Sequence, residues 1–467
     1  MEQFCGYVQV RAGYEFLRSQ KDISYRTLVL DEDVHARYKD EKLDMDFLRA
    51  FEREYGTPTL WPYLSIDRII MFQQLVREYP WNTPKYTHEE MLRILQVNIK
   101  AVLSFLETEK PDVIVLSVNC SLPSMLLTKI AEKKGIKTLY ILATSLKETF
   151  VISEAFDRFT DVERLFRATL ADGKKDASYH KARAFLADFR KAPAPFDSVR
   201  TPEEQPVNRR KQLSFLWPGN FIRSLGWFSR MLYRHMTRKE RHDYSYIHPW
   251  YFFKDHLTRK VRNLYGVADL YDRFDEAGDY VFFGLHLEPE MALLLHAPFA
   301  TDQLHLIRQT AKALPVGCML YVKEHPQMVS YRPRSFYAEL KKIPNVRLID
   351  PSIMGLTLIE KARLVFTVSG SIGLEALLLG KPVIVFGDQF YNTLSMVKKC
   401  SDMSHLPYVV QEQLEKFHFN EEELLHFIAA IYTEAATLPF FHIWEQEFDA
   451  AKRKAALEPL ADVLAKK

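Results

Sequence analysis

The sequence has few cysteines, few glycines and no long apolar run. Its four cysteines lie far apart in 467 residues and form no CxxC pair, which argues against a small disulfide-stabilised domain and against a zinc site. With only 16 glycines, the chain contains no GxGxxG loop of the kind that binds dinucleotides. No window reaches the ~18 consecutive apolar residues that a membrane-spanning helix needs.

The composition is that of an ordinary globular protein. Hydrophobic residues make up 47% and charged residues 26%, and 63 basic against 60 acidic residues leave a net charge of +3. These values exclude global disorder. The segment Met1–Val10 has no charged leader followed by a long apolar stretch, so we predict no secretory signal. Together with the unpaired thiols, this predicts a cytoplasmic protein, either soluble or peripheral at the inner face of the membrane.

Residues 1–205 are predicted to form an α/β domain on the acceptor side. Apolar segments at Arg26–Leu30 and Val113–Val118 are typical of strands, a helix is expected near Leu122–Lys134, and the strand Thr138–Ala143 follows. A strand, a helix and a second strand in this order indicate a parallel sheet. The opening segment is short and weakly apolar, so we expect the first strand of this domain to be lost or displaced.

Residues 278–405 are predicted to form a second α/β domain, because strands and helices alternate regularly there, as in a doubly wound parallel sheet. Residues 406–467 are predicted to be helical and to pack back on the first domain. The five expected strands of the second domain are Tyr280–Leu285, Cys318–Glu324, Val346–Ile349, Leu364–Val368 and Pro382–Phe386.

The segment Arg363–Gly387 reads RLVFTVSGSIGLEALLLGKPVIVFG. An apolar strand is followed by Ser369, Gly370 and Ser371, and a helix is predicted to begin at once. Backbone N–H groups at a helix start have no partner within the helix and can bind phosphate. Glu375, one turn further, is placed to accept two ribose hydroxyls. The alternative interpretation is that Ser371 is only a helix cap and Glu375 a solvated helix residue.

A second candidate segment is Lys323-Glu324-His325-Pro326, at the end of a predicted strand. Side chains at the carboxyl end of a strand face the ligand crevice of a doubly wound sheet. There His325 is suited to donate a hydrogen bond to a phosphate oxygen, and Lys323 to supply a point charge. The alternative is a histidine whose hydrogen bonds are satisfied within the core.

A third segment, Phe283–Glu290 (FGLHLEPE), follows the first strand of the second domain. Pro289 is predicted at the first position of a helix and Glu290 in its first turn, where the helix dipole stabilises a carboxylate. The functional interpretation is a carboxylate at the floor of the cleft with His286 beside it. The alternative is simply a well-formed helix start.

Together these three segments resemble the bacterial capsule polysaccharide biosynthesis family, which includes the β-Kdo transferases of capsule and lipopolysaccharide assembly. The resemblance covers Asp279–Asn392 and rests on KEHP followed by SGSIGLEALLLGKPVIVFG. It implies a GT-B-like α/β fold, with two doubly wound Rossmann-type domains and a helical C-terminal tail, in which the second domain holds a nucleotide sugar. By this resemblance His325 is the histidine at the donor phosphate, and Ser369 and Ser371 are the serines at the phosphate and nucleotide.

The chain departs from that family pattern at two positions. In the Kdo transferases the loop after the first strand of this domain carries a Gln and, four residues on, a catalytic Asp. This chain has His286 and Glu290 there. Glu keeps the carboxylate but moves it outward by a methylene, and His changes the partner. The resemblance therefore implies Glu290 and His286 as the catalytic residues.

The first domain offers weaker candidates. Asp31, Glu32, Asp33 and His35 follow a predicted strand and are candidates to face the cleft, as is Asn119 after the next strand. The alternative interpretation is an ordinary solvated acidic turn.

Residues 206–277 are predicted to be a connecting segment that is both basic and aromatic. From Arg209 to Arg262 there are 13 Lys or Arg residues and three acidic ones. A basic amphipathic helix suits an anionic membrane surface, here through residues 209–262; the alternative is a helix packed on its own domain. Nucleic acid is not an expected partner, because the pI of the chain is only about 8.4 and the motifs indicate a cleft. The apolar stripe at helical spacing is Phe221, Leu225, Phe228, Leu232 and Met236, and the flanking basic residues are Arg223, Arg230, Arg234, Arg238 and Lys239.

The sequence thus predicts a glycosyltransferase that moves a sugar from a nucleotide-sugar donor, CMP-Kdo or a similar one, to a bacterial surface polysaccharide or glycolipid acceptor. The donor is a substrate, and no cofactor or metal is expected, because Lys323, His325 and the Ser369–Ser371 segment would offset the charge of the leaving nucleotide. Two alternatives remain open: a polyol-phosphate transferase of the CDP-glycerol or CDP-ribitol type, and a non-catalytic protein that binds glycan or nucleotide within an assembly complex.

Overall fold

The structure, a computed structural model, describes residues 4–21, 23–72, 84, 86–116, 120–146, 148–195, 209–237, 248–440, 443, 447 and 449–467. The chain divides into two compact units. The first unit consists of Met1–Thr138 and Leu213–Val261, and the second of Leu139–Gln212 and Arg262–Lys467. In the described part of the chain, no helix is both long enough and apolar enough to cross a membrane.

The N-terminal part of the first unit is mainly helical. Its long helix α6 begins with a capping box, in which Thr87 and Glu90 each bond the other's backbone N–H. Gly135 ends α7 in the left-handed conformation, with φ of 69°. The elements are β1 Phe4–Val8, α1 Arg11–Ser19, β2 Tyr25–Leu30, α2 Asp31–Ala36, α3 Met45–Tyr55, α4 Trp61–Ser65, α5 Arg68–Phe72, α6 His88–Glu109, β3 Val113–Leu116 and α7 Leu122–Lys134.

The first strand of the chain is present. β1 pairs in parallel with β2, from Phe4 opposite Tyr25 to Val8 opposite Leu30. In the described residues these two strands form a sheet of their own. The prediction of a lost first strand is therefore wrong, whereas a displaced one agrees with this small separate sheet.

The second unit begins with a small antiparallel sheet and a helical layer. Strand β4 pairs antiparallel with β5, and β5 with β12 near the C-terminus. The elements are β4 Lys137–Ala143, β5 Thr149–Ser153, α8 Thr160–Asp172, α9 Ala177–Lys191 and α10 Arg209–Gln212. The basic segment that follows contains α11 Pro218–Thr237 and α12 Pro249–Tyr265, and its residues up to Val261 belong to the first unit.

A six-stranded parallel sheet forms the core of the second unit. Its strand order is β11-β10-β9-β6-β7-β8, so the chain adds strands on one side of β6 and then on the other, as in a Rossmann domain. The elements are β6 Tyr280–Gly284, α13 Met291–His296, α14 Gln303–Ala313, β7 Met319–Lys323, α15 Arg334–Lys341, β8 Val346–Ile349, α16 Gly355–Lys361, β9 Val365–Thr367, α17 Ile372–Leu378, β10 Val383–Val385, β11 Val397–Lys399, α18 Leu406–Glu415, α19 Glu421–Glu434, β12 Ala436–Thr437 and α20 Ala450–Ala465.

These features confirm the predicted α/β fold class, and the second unit contains the predicted doubly wound sheet. In the described part of the first unit, β1 and β2 form a separate two-stranded sheet rather than a second doubly wound one. Two details of the second unit also differ. The sheet has six strands rather than five, because Val397–Lys399 pairs in parallel with β10. This strand is only three residues long and too polar to be recognised in the sequence. Helix α13 begins at Met291, two residues after the predicted start at Pro289, and leaves Glu290 at the N-cap position.

The two units also differ from the predicted boundaries at residues 205 and 278. Helices α8 and α9 belong to the second unit, because they pack on α19. The ring of Phe166, in α8, lies edge-on to that of Phe427, with 5.6 Å between the ring centres. The hydroxyl of Tyr179, in α9, donates a hydrogen bond to the Glu422 carboxylate at 2.8 Å. The C-terminal helix α19 thus contacts a segment that we had assigned to the first domain.

The Phe427 side chain is central to this packing. It is fully buried and also stacks on Phe390 at 6.3 Å. We expect Phe427→Ala to lower the free energy of unfolding by ~3–5 kcal/mol, because a buried ring is replaced by a cavity. The matched control is Phe299→Ala, whose ring is 89% exposed, with an expected change within ~0.5 kcal/mol. Urea denaturation of both variants tests this, and equal losses would contradict it.

Candidate functional site

The three predicted segments end at one edge of the six-stranded sheet. β6, β7 and β9 are parallel, with Gly284 opposite Lys323 and Phe283 opposite Phe366. Their carboxyl ends therefore meet at the same edge. The chain reverses its direction of strand addition between β6 and β9, and ligands of such sheets bind in the crevice at this switch point.

His286 is buried beneath the loop that contains the serines. Its Nε2 accepts a hydrogen bond from the Val368 N–H at 3.1 Å and lies 3.0 Å from the Thr367 hydroxyl. That hydroxyl in turn accepts the Gly370 N–H at 3.1 Å. Burial, with a smaller contribution from the Arg332 charge, lowers the pKa of His286 to about 4. The ring is therefore neutral near pH 7, with its proton on Nδ1, and it holds the loop in place.

Gly370 is required by this packing. A Cβ atom there would lie 2.7 Å from Cε1 of His286, and the Gly370 carbonyl accepts the Tyr391 hydroxyl at 2.5 Å. Gly373, three residues on, has a similar constraint, since a Cβ would lie 2.8 Å from Cζ of Tyr391. The loop therefore runs too close to two rings to carry larger side chains.

The two serines of this loop are placed differently. Ser369 is buried, and its hydroxyl donates to the Ala292 carbonyl at 2.9 Å. Ser371 stands at the N-cap of α17, but its side chain makes no capping hydrogen bond. Helix α17 has only seven residues, so the helix dipole is not part of our argument for phosphate binding at this loop. The alternative that Ser371 serves as a side-chain cap does not agree with this geometry.

A buried ion pair connects the KEHP segment to the loop after β6. Glu324 is fully buried and accepts the His325 N–H at 2.7 Å and the Tyr337 hydroxyl at 2.8 Å. It also pairs with Arg332, whose guanidinium donates to the His286 carbonyl at 2.8 Å and lies 3.3 Å from Glu288. Burial opposes the guanidinium charge, but Glu324 and Glu288 raise the pKa of Arg332.

Sequence reasoning did not identify Arg332. It lies in the loop after KEHP, in the segment Ser330-Tyr331-Arg332-Pro333, which belongs to no regular pattern. Glu324 was within the motif, but a charged residue after a strand gives no sign that it is buried. A signal that could have found the pair is the presence of two opposite charges eight residues apart around a predicted ligand crevice.

Lys323 is a buried cation without a close partner. Its side chain is at the carboxyl end of β7 and only 8% exposed, and it makes no hydrogen bond or ion pair with any residue that the structure describes. Burial lowers the pKa of Lys323 to about 8, although the charges of Glu324, Asp350 and Glu375 act in the opposite direction. An ammonium group in this setting is poorly stabilised by the protein alone.

His325 and Glu375 border the same crevice. The Nδ1 atom of His325 accepts the Gln327 N–H at 3.3 Å, so in the neutral ring the proton is on Nε2. Glu375 is 8% exposed and lies within α17, so it is not the solvated helix residue of the alternative interpretation. Its charge acts on both Lys323 and Tyr391.

We predicted Glu290 in the first turn of its helix, but it lies at the N-cap position, one residue before α13 begins. Its side chain is half-buried and makes no capping hydrogen bond to α13. The carboxylate therefore does not serve the helix start, which was the alternative to a chemical role. The preceding residues are fixed, because Gln303 donates to the Glu288 carboxylate and accepts the His286 N–H at 2.6 Å.

Three of the candidates in the first unit, Asp31, Glu32 and His35, are buried rather than solvated, whereas Asp33 is exposed. Asp31 and Glu32 begin α2 and are 2% and 3% exposed, and Glu32 pairs with Arg11 at 3.1 Å. His35 lies 3.0 Å from the Tyr86 hydroxyl. The interpretation of a solvated turn is therefore wrong for Asp31, Glu32 and His35, and Asn119 lies outside the described residues. Among those residues, no group of three or more His, Cys, Asp or Glu side chains is arranged to hold a metal ion.

The low pKa of Lys323 predicts a pH dependence of stability. The folded-state pKa is about 8, against ~10.4 in an unfolded chain, so between these values the unfolded state binds more protons and stability rises with pH. Below pH 8 both states are protonated and the residue gives no dependence. Relative to Lys323→Met, we expect the wild type to gain roughly 3 kcal/mol in free energy of unfolding from pH 8 to 10.5. Urea denaturation at several pH values measures this, and a constant difference would contradict it.

Comparison with known proteins finds similarity to one described family in this part of the chain. Residues 230–415 match the family model described as capsule polysaccharide biosynthesis protein. Protein FixF of Sinorhizobium fredii is 33% identical over 135 residues, which cover 28% of this chain and 32% of FixF. The capsule polysaccharide modification protein LipA of Neisseria meningitidis is 26% identical over 114 residues, or 22% of this chain and 16% of LipA. The chain thus spans a third or less of the length of these relatives.

Among solved structures, the β-Kdo 2,4 transferase of Thermosulfurimonas dismutans KpsC is similar, with a TM-score of 0.40 and 16% identity. The similarity covers 74% of this chain and 90% of that one. It is too distant to assign an activity. The family match includes all the segments that form the crevice. The matched residues 230–415 carry the KEHP and SGS motifs, so the family model and the resemblance seen in the sequence point to the same part of the chain.

Proposed function

We propose that this protein is a glycosyltransferase of bacterial surface polysaccharide assembly and that its second unit binds the nucleotide-sugar donor. The observation that carries the proposal is Lys323, a buried ammonium group without a close partner at the switch point of a Rossmann-type sheet. A buried charge is costly unless it is paired. A donor phosphate would supply that pair, since the crevice is where such sheets bind nucleotides.

The surrounding groups suit a phosphate and a ribose. Nε2 of His325 carries the proton in the neutral ring and is suited to donate to a phosphate oxygen. The Ser371 hydroxyl is not used as a cap, and the tight turn at Gly370 allows a close approach of the backbone. Glu375 is positioned to accept ribose hydroxyls. Lys323 would then offset the charge that develops on the leaving phosphate.

In the transfer step, an acceptor hydroxyl would attack the anomeric carbon of the sugar. The bond from that carbon to the phosphate oxygen breaks, the nucleotide leaves with the electron pair, and the hydroxyl proton passes to a base. We propose Glu290 as the reacting carboxylate, either as this base or as a nucleophile that first forms a sugar adduct. His286 is neutral and held by the Val368 N–H, so we now assign it a positioning role for the loop rather than a chemical one.

For the identity of donor and acceptor, the family match is the support. The match across residues 230–415 favours a capsule or related surface glycan, or its lipid-linked precursor, as the acceptor, and CMP-Kdo or a similar nucleotide sugar as the donor. A polyol-phosphate transferase would use the same phosphate contacts but needs no carboxylate at the anomeric carbon. A non-catalytic binder would hold the nucleotide without turnover.

Nucleotide binding tests directly whether Lys323 binds the donor phosphate. We expect Lys323→Met to weaken the binding of the preferred nucleotide among CMP, CDP and UDP by at least ~10-fold, because a charge-assisted contact is lost. The matched control is Lys381→Met, a half-buried lysine whose pKa is also lowered by burial but which precedes β10 at the opposite edge of the sheet. Calorimetry with equal affinities for wild type and Lys323→Met, in folded proteins, would refute the donor site.

Glu290→Gln tests the chemical role. The amide keeps the shape but not the charge, so we expect turnover to fall by at least ~10²-fold while nucleotide affinity and melting temperature change little. Release of CMP or UDP from a panel of donors measures turnover. Trapping a sugar on Glu290 would identify a nucleophile. Loss of stability with unchanged turnover would instead make Glu290 a structural residue and remove it from the mechanism.

A further inference from the structure

Helices α11 and α12 in the basic segment expose an unusual amount of apolar surface. Helix α11 has no buried residue in its 20 positions, and the only buried residue of α12 is Pro249. The contacts that α11 makes within its own unit therefore leave most of its apolar side chains exposed. The exposed apolar side chains of α11 are Phe221, Ile222, Leu225, Trp227, Leu232, Tyr233 and Met236, and those of α12 are Trp250, Tyr251, Phe253, Leu257, Val261, Leu264 and Tyr265.

Each helix presents these side chains as a stripe. At ~100° per residue, Phe221, Leu225, Leu232 and Met236 lie within ~60° of one another around α11. Around α12 the stripe runs from Trp250 to Leu264 within ~80°, at positions i, i+3, i+7, i+11 and i+14. The side chains in these stripes are between 37% and 68% exposed.

The contacts between the helices show that they run antiparallel. The ring centre of His235, near the end of α11, lies 4.5 Å from that of His248, just before α12. The ring centre of Trp227, two turns earlier in α11, lies 4.9 Å from that of His256, further along α12. Phe228 also contacts Phe253, at 5.2 Å. On each helix, the apolar stripe is rotated by roughly 90° about the helix axis from the residues that contact the other helix, in the direction in which successive residues turn. Because the two helices run antiparallel, the same rotation places both stripes on the same side of the pair.

The charges on this helix pair have one predominant sign. Helix α11 contains Arg223, Arg230 and Arg234 and no acidic residue, and the three arginines share one face, about 170° from the centre of the stripe. On α12, Lys254 and Lys260 border the stripe on its two sides. Arg238 and Lys239, which we also expected here, lie outside the described residues.

An apolar face with aromatic residues, opposite or bordered by basic residues, is typical of helices that lie in the interface of an anionic bilayer. A second copy of the chain is a poorer fit, because pairing through the apolar faces would bring together the Lys254 and Lys260 side chains that border the stripe in each copy. We propose that α11 and α12 form a two-helix platform that binds an anionic lipid surface through their shared apolar face. The inference does not depend on the donor site, and it would place a glycosyltransferase beside lipid-linked acceptors.

Vesicle sedimentation with the full chain tests the platform. We expect binding to vesicles of phosphatidylglycerol and phosphatidylcholine that falls at least ~10-fold when salt rises from 0.05 to 0.5 M, as screening predicts, and that is at least ~10-fold weaker on phosphatidylcholine alone. Replacing Phe221, Leu225, Trp250 and Leu257 together by Ser should lower binding at least ~10-fold. Because these side chains are already exposed, the melting temperature should not change.

The matched control replaces Phe299 and Tyr408 by Ser, since these side chains are 89% and 70% exposed but lie outside the platform. This variant should bind like the wild type. Unchanged vesicle binding by the fourfold variant would overturn the proposal. So would a concentration-dependent dimer, seen by light scattering, that the fourfold variant abolishes while the wild type binds no vesicles. Nucleotide affinity, measured separately, shows whether the donor site has failed as well.

Discussion

The site depends on the point where the sheet of the second unit changes its direction of growth. Strands β6 and β9 are neighbours in the sheet although more than 80 residues separate them in the chain, and the loops that follow them must separate towards opposite sides. This opens a crevice at the edge of the sheet. The SGS loop, the KEHP segment and the loop around Glu290 all border it, because the strands that precede them end together.

Buried polar contacts then hold these loops at fixed positions. The imidazole of His286 reaches from the loop after β6 to the backbone of Val368, and the guanidinium of Arg332 connects Glu324 to the His286 carbonyl. Breaking one partner of a buried ion pair is costly because the other charge remains unpaired. The network is therefore rigid around Lys323, the one cation of the crevice that makes no ion pair with a described residue.

Much of the second unit could be predicted from its sequence. The strands there are apolar runs bounded by polar turns, so periodicity located five of the six, and motif spacing located Lys323, His325 and the serines at their ends. The strand Val397–Lys399 was missed because a three-residue strand at a sheet edge carries too little apolar pattern. The burial of His286 was not predicted, because the same sequence pattern, a histidine after a strand, fits a reactive group and a buried one equally well.

Hydrophobic periodicity and helix signals are local properties of the chain, so the α/β fold class and the segment that matches the family could be predicted from the sequence. Which charges are buried, and which of them are paired, became known from the folded structure. Burial depends on contacts between residues that are not neighbours in sequence, such as the hydrogen bond from Tyr337 to Glu324. For the same reason, the sequence around Asp31 does not show that its carboxylate is buried. The apolar stripes of α11 and α12 are a further example. Their spacing is the same as that of a helix that faces the core, and only the packing around them shows that these side chains are exposed.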